Sequence, residues 1–110
     1  MSEQAFFILA ALVDQPRHGY GIVGEVADLT DDRLRLKVGT LYGALDRLVG
    51  EGLVERDREE IARGRLRRYY RLTEQGHDAL AAEAARQAAN ARAATTRLRM
   101  WQSRPADGSA

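Results

Sequence analysis

Residues 38–72 read VGTLYGALDRLVGEGLVERDREEIARGRLRRYYRL, and two periodicities lie side by side in them. Leu41, Ala44, Leu45, Leu48 and Val49 fall at i, i+3, i+4, i+7 and i+8, one continuous apolar stripe of a helix over 38–51. Thr40, Gly43, Asp46, Arg47 and Gly50 lie on the opposite face, and Gly52 stops the helix. The period then drops to two. Residues 53–59 and 65–73 alternate as strands joined by 60–64, a β-hairpin with Arg63 and Gly64 at its tip. In the second strand Leu66, Arg68, Tyr70 and Leu72 share one face, and Arg67, Tyr69 and Arg71 the other.

Upstream, residues 4–14 are apolar on nearly every side and predict a short buried helix. Pro16 and Gly19 make 15–19 a turn. Ile22, Val23, Val26 and Leu29 give a second helix over 20–29. Gly21 and Gly24 weaken it by about 1 kcal/mol each relative to Ala, which is tolerable where another backbone passes close. Leu34 and Leu36, alternating with Arg33, Arg35 and Lys37, predict a very short strand. Downstream, Thr73 is the N-cap of a last helix, and Gly76 three residues on excludes a capping box. Residues 77–101 contain neither Pro nor Gly. Such a helix runs about 37 Å, longer than the core a chain this small can offer. Ala84, Ala91 and Leu98 on one heptad register, and Leu80, Gln87, Ala94 and Trp101 on the other, predict a partner helix.

The fold expected is mainly α with a small β-hairpin: a winged helix-turn-helix DNA-binding domain over 1–76, a dimerisation helix over 77–102 and a disordered tail over 103–110. The middle of the chain carries the positive charge. Residues 1–32 hold one basic and six acidic residues, 33–76 eleven and seven, and 77–110 five and three. Within 61–72 stand Arg63, Arg65, Arg67, Arg68 and Arg71 with no acid among them. Arg suits phosphate and groove contacts, so the hairpin predicts an anionic partner, double-stranded DNA, with a solvated charged strand pair as the plain alternative.

Composition removes other classes. The 110 residues include no Cys and only His18 and His77, so no disulfide, thiolate nucleophile or metal cluster is expected, and no cofactor. No nucleophile–base set or phosphate loop can be assembled, which argues against an enzyme. The apolar run 5–13 is far short of the roughly 20 residues that span a bilayer. The start, 1–4, lacks the basic residues of a secretory signal, so the expected location is the cytoplasm, with no membrane contact.

The sequence also resembles the PadR transcriptional regulators. The resemblance is carried by Ile8-Leu9-Ala10-Ala11-Leu12, Arg17-His18-Gly19-Tyr20-Gly21-Ile22, Val38-Gly39-Thr40-Leu41-Tyr42-Gly43-Ala44-Leu45, Leu48 with Glu51-Gly52-Leu53-Val54, and Arg68-Tyr69-Tyr70-Arg71-Leu72-Thr73-Glu74-Gln75-Gly76. It covers about residues 5–80. Two positions depart from the family pattern: Lys37-Val38 stands where Ser-Pro is frequent, which removes an N-cap, and Gly21 stands where Glu is frequent. The resemblance implies a bacterial homodimeric repressor of the short-tailed subfamily, whose single C-terminal helix crosses to the other subunit. It implies an inverted-repeat operator, with a small-molecule effector as a further expected partner. The competing reading is a winged-helix protein-interaction module that never binds DNA, which the acid-free run of Arg disfavours.

Seven residues are candidates for DNA. Thr40 and Arg47 face outward on the third helix, where Thr bonds phosphate or meets a thymine methyl and Arg takes guanine or phosphate. Lys37 at the helix entrance suits a phosphate. Tyr42 either bonds phosphate through its hydroxyl or packs half-buried. Tyr20 opens the second helix, whose free N–H groups favour an anion. Arg63 and Arg65 flank the hairpin glycine and are favoured over Arg67, Arg68 and Arg71, which pack over Tyr rings or pair with Glu55, Asp57 or Glu59. Gly43 allows close approach of DNA, and Asp46 is either turned aside or reads a cytosine amine. For the dimer the candidates are Phe6, Leu80, Ala84, Ala91, Leu98 and Trp101. His18 and His77 are read as structural.

Overall fold

The computed structural model describes residues 1–105. Helix α1 spans Glu3–Ala11, and Ser2 caps it by accepting from the Ala5 N–H at 3.1 Å. It stops before residues 12–14, which the apolar run had promised to the helix. Arg17 ties that end down: its Nε donates to the Ala11 carbonyl at 2.8 Å, and its guanidinium lies 3.1 Å from Asp14 and 3.4 Å from Glu25.

The turn expected over 15–19 contains a two-residue strand, β1, Arg17–His18. Helix α2, Gly19–Leu29, follows at once, capped by His18, whose Nδ1 accepts from the Gly21 N–H at 3.3 Å. Buried Thr30 closes it, with Oγ1 donating to the Val26 carbonyl at 2.9 Å and accepting from the Leu34 N–H at 3.1 Å. Asp31 and Asp32 then carry the chain through φ of 50° and 64°.

No strand forms over 33–37. Thr30 takes the Leu34 N–H, Leu36 plugs into the core at 6% exposure, and no second strand runs beside them. Alternation without a pairing partner leaves a loop. Helix α3, Val38–Gly50, starts at Lys37 without a side-chain cap, as the missing Ser implied.

Strands β2, Val54–Ala62, and β3, Arg65–Leu72, form the hairpin, and β1 adds to the far edge of β3, giving the order β1-β3-β2. The hairpin is longer and its turn tighter than expected. Ala62 pairs with Arg65, leaving Arg63 and Gly64 as a two-residue turn with φ of 53° and 76°. Both central residues left-handed is the twist that matches a hairpin. A bulge at Asp57 and Arg58, opposite Tyr69, interrupts the register. Val54 and Tyr70 enter the core, while the outer half stands off as a wing.

Helix α4, Glu74–Gln102, begins directly after its expected N-cap Thr73, and so takes in residues 74–76, which the expected domain division left with the winged part. Thr73 joins it to the body: Oγ1 accepts from the Gly76 N–H at 2.9 Å and donates to the Gly52 carbonyl at 2.6 Å. Gly76 is buried there, and a Cβ built on it would lie 2.0 Å from the Leu53 carbonyl oxygen. Close backbone approach, expected at Gly21 and Gly24, is found here instead; Gly24 has nothing within 4 Å. The core joins Ile8, Leu9, Ile22, Val26, Leu41, Leu45, Val54 and Tyr70. Helix α4 leaves that core behind, so the molecule measures 72 × 27 × 21 Å. The expected tail is described only as far as Pro105; residues 106–110 lie outside the described residues.

Candidate nucleic-acid interface

Helix α3 buries Leu41, Ala44, Leu45 and Leu48, and so turns Thr40, Gly43 and Arg47 outward, with Lys37 exposed at its start. Built Cβ atoms at Gly39, Gly43 and Gly50 meet nothing within 4 Å, so no internal contact explains these glycines. Asp46 is exposed, and its carboxylate lies 4.0 Å from the Arg56 guanidinium. Tyr20 is 68% exposed at the start of α2. Tyr42 is packed and partly exposed at once. Its ring packs over Gly19, where a Cβ would lie 2.5 Å from the hydroxyl, yet 37% of the residue stays exposed. Between these tyrosines and β3 lies a cleft of about 140 Å³, lined also by His18, Arg65, Leu66, Arg67 and Arg68.

Local pairing sorts the wing arginines. Arg71 donates through Nε to Glu55 at 2.7 Å and lies 3.9 Å from Asp57. Arg68 is 3.8 Å from Glu59. Arg67 reaches the His18 Nε2 at 3.4 Å. The ring of Tyr69 is covered not by one of these but by Arg58, at 4.0 Å, a residue the strand pattern had not singled out. Arg58 is held by Asp57 and Glu60 at 2.9 and 2.8 Å, and those hydrogen bonds raise its pKa. Lys37, Arg47, Arg63 and Arg65 have no carboxylate partner among the described residues. The exposed face of α3 and the turn of the wing thus present cations that none of the described residues neutralises.

His18 does more than occupy a turn. It caps α2, meets the Tyr69 ring edge-on at 5.2 Å and touches Arg67. Burial lowers its pKa, the charge of Arg67 lowers it further, and Glu60 opposes both. The local sequence does not reveal these contacts, because they cross from residue 18 to residues 67 and 69.

The proposed dimer residues fall into two sets. Phe6 is half-buried against Phe7, rings edge-to-face at 5.2 Å, and Leu80 packs on its own chain's core. Ala84, Ala91, Leu98 and Trp101 are exposed on α4, the last two at 61% each. Arg104 lies over the Trp101 ring at 4.5 Å. Among the described residues no cluster of His, Cys, Asp or Glu is placed to hold a metal, and no helix is long and apolar enough to cross a membrane.

A helix-turn-helix body followed by a basic wing defines a winged-helix protein. Residues 8–82 match the Transcriptional regulator PadR-like family, and the chain belongs to it. That is a family of regulators rather than enzymes. An uncharacterised protein of Lysinibacillus sphaericus is 32% identical over 69 residues, a stretch covering 63% of each chain. A PadR family transcription regulator of Clostridium difficile superimposes with a TM-score of 0.71 at 26% identity, over 88% of this chain and 99% of that one. Bacillus subtilis PadR, solved in complex with operator DNA, gives a TM-score of 0.63 at 25% identity, over 73% of this chain and 45% of that one.

Proposed function

We propose that this chain is a DNA-binding transcriptional repressor that works as a homodimer on an inverted-repeat operator. The observation that carries the reading is that α3 exposes Thr40, Gly43 and Arg47, that the wing turn exposes Arg63 and Arg65 without carboxylate partners among the described residues, and that Tyr42 of α3 and Arg65 of the wing line one cleft. A helix in the major groove with a flanking Arg at the minor groove is the arrangement such a face fits. The operator complex of B. subtilis PadR supports it by similarity. Tyr20, Lys37 and Tyr42 extend the same face towards the phosphates. The uncovered length of α4 supports the homodimer, and two-fold symmetry then calls for two opposed half-sites about one helical turn, or a multiple, apart. Release by a small-molecule effector completes the reading as a regulator.

The test is selection of duplexes from a random library, followed by footprinting and titration at increasing salt. Two protected patches of opposed orientation are expected. With about six phosphates neutralised, affinity should fall about a thousandfold between 50 and 200 mM salt. Arg63→Asn is the informative wing variant, since Asn removes the cation and accepts the left-handed turn more readily than either Arg or Ala. It should weaken binding and reduce the salt slope by about one phosphate. Equal binding by Arg63→Asn, Arg65→Ala and wild type would remove the wing from the interface.

A further inference from the structure

The wing carries two large aliphatic side chains in water. Ile61 is 78% exposed and Leu66 55% exposed, and the two are cross-strand partners. Register puts them on the same sheet face as Tyr70 and Val54, which lie in the core further down the hairpin. Towards the tip the chain leaves that face uncovered. Leu66 borders the cleft shared with Tyr20 and Tyr42. Holding the hairpin together does not require this pair, because polar β-formers such as Thr make serviceable cross-strand partners without exposing apolar area. Next to the pair stand Arg63 and Arg65, without carboxylate partners among the described residues, so the tip combines an apolar face with a cationic rim.

Few surfaces complement that combination. The minor groove of duplex DNA does: its walls are the apolar faces of deoxyribose, its rims are phosphates, and it is about 6 Å wide. It is narrowest and most negative where A·T pairs run together, and apolar side chains are known to wedge into it. We propose that Ile61 and Leu66 enter the minor groove beside the α3 site and press on its sugar walls. The wing then selects DNA by groove width and A·T content rather than by hydrogen bonds to bases. The inference rests on the DNA-binding reading above, and continuity of Leu66 with the Tyr20–Tyr42 cleft is what ties it to that interface.

The experiment uses the full chain and a duplex selected from a random library. The pairs under the wing are replaced in turn by inosine·cytosine, which keeps the A·T-like minor-groove edge, and by diaminopurine·thymine, which adds an amino group to the minor groove alone. Wild type should bind the inosine duplex nearly as well as the A·T duplex and lose about tenfold on the diaminopurine duplex. The Ile61→Thr/Leu66→Thr double variant should bind the A·T duplex about tenfold more weakly and no longer discriminate, with an unchanged salt slope because no phosphate contact is lost. Wild type binding all three duplexes alike overturns the proposal whether or not the double variant folds. A folded double variant that discriminates like wild type also overturns it, as does one with a shallower salt slope, which marks a displaced wing. Enrichment of no duplex at all sinks the DNA-binding reading itself, a failure distinct from an enriched duplex that ignores its minor groove.

Discussion

Two glycines use the missing side chain in opposite ways. At Gly76 the space is taken, since a Cβ would lie 2.0 Å from the Leu53 carbonyl oxygen and 2.8 Å from the Leu72 side chain. Backbone cannot move aside as a flexible side chain can. Gly76→Ala should therefore destabilise the fold by about 3 kcal/mol, seen as a lower urea midpoint with an unchanged slope. At Gly43 the space is free, so within the protein Ala is the better helix residue there. Gly43→Ala should raise stability by about 0.8 kcal/mol while weakening binding to a selected duplex, because the added methyl meets DNA instead of protein. A variant both more stable and equally tight would mean that DNA does not come close to this stretch of α3. The outward position of Gly43 was readable from the stripe of Leu41, Leu45 and Leu48. The occupied space at Gly76 was not, because the Leu53 carbonyl is brought there only by tertiary folding.

Among elements, those with a strong period of their own were legible: α3, the hairpin and the long last helix all follow from local pattern. Strand β1 was not, since two residues cannot display alternation and Arg17 and His18 are extended only because Tyr70 and Tyr69 pair with them. The misplaced strand at 33–37 is the converse, a pattern lacking a partner. The bulge at Asp57 and Arg58 was equally hidden, and it is what brings Arg58 over Tyr69. One consequence belongs to the junction of β1 and α2. Protonated His18 has no lone pair on Nδ1 for the Gly21 N–H, and it places a positive charge at a helix N-terminus beside Arg67. Its folded pKa is below the ordinary 6.5, so the folded state binds fewer protons than the unfolded. The stabilisation is complete above about 6.5 and is lost as pH falls through the lowered folded value. Glu83, held down at about 2 by its hydrogen bonds from Arg86 and Gln87, stays charged through this window. Urea midpoints taken from pH 7.5 down to 5.5 should decline for wild type and stay flatter for His18→Asn, which keeps a cap that does not titrate. Parallel curves would assign the pH dependence elsewhere.

For the whole molecule, length is the governing quantity. Beyond Glu83 every described residue of α4 is exposed, including Leu98 and Trp101. A polypeptide ended after Ala79 should sediment as a monomer, or fail to hold its fold, and lose operator affinity by orders of magnitude as the coupling between half-sites disappears. Leu98→Asp should do the same more gently, by putting a charge into the proposed seam. A truncated chain that still sediments as a tight operator-binding dimer would move the interface to α1, around Phe6 and Phe7. The junction at Thr73 and Gly76 gives this arrangement a mechanical character. Backbone rests on backbone there, and one hydroxyl bonds both α4 and the turn after α3, which leaves the joint little room to shift. The 29 residues of α4 form a rod about 43 Å long. Tilting such a rod by one degree at its root displaces its far end by about 0.8 Å. Read in the other direction, a sizeable shift between the two rod tips of the proposed dimer turns each winged body by only a small angle, a reduction gear that sets the distance between reading heads finely.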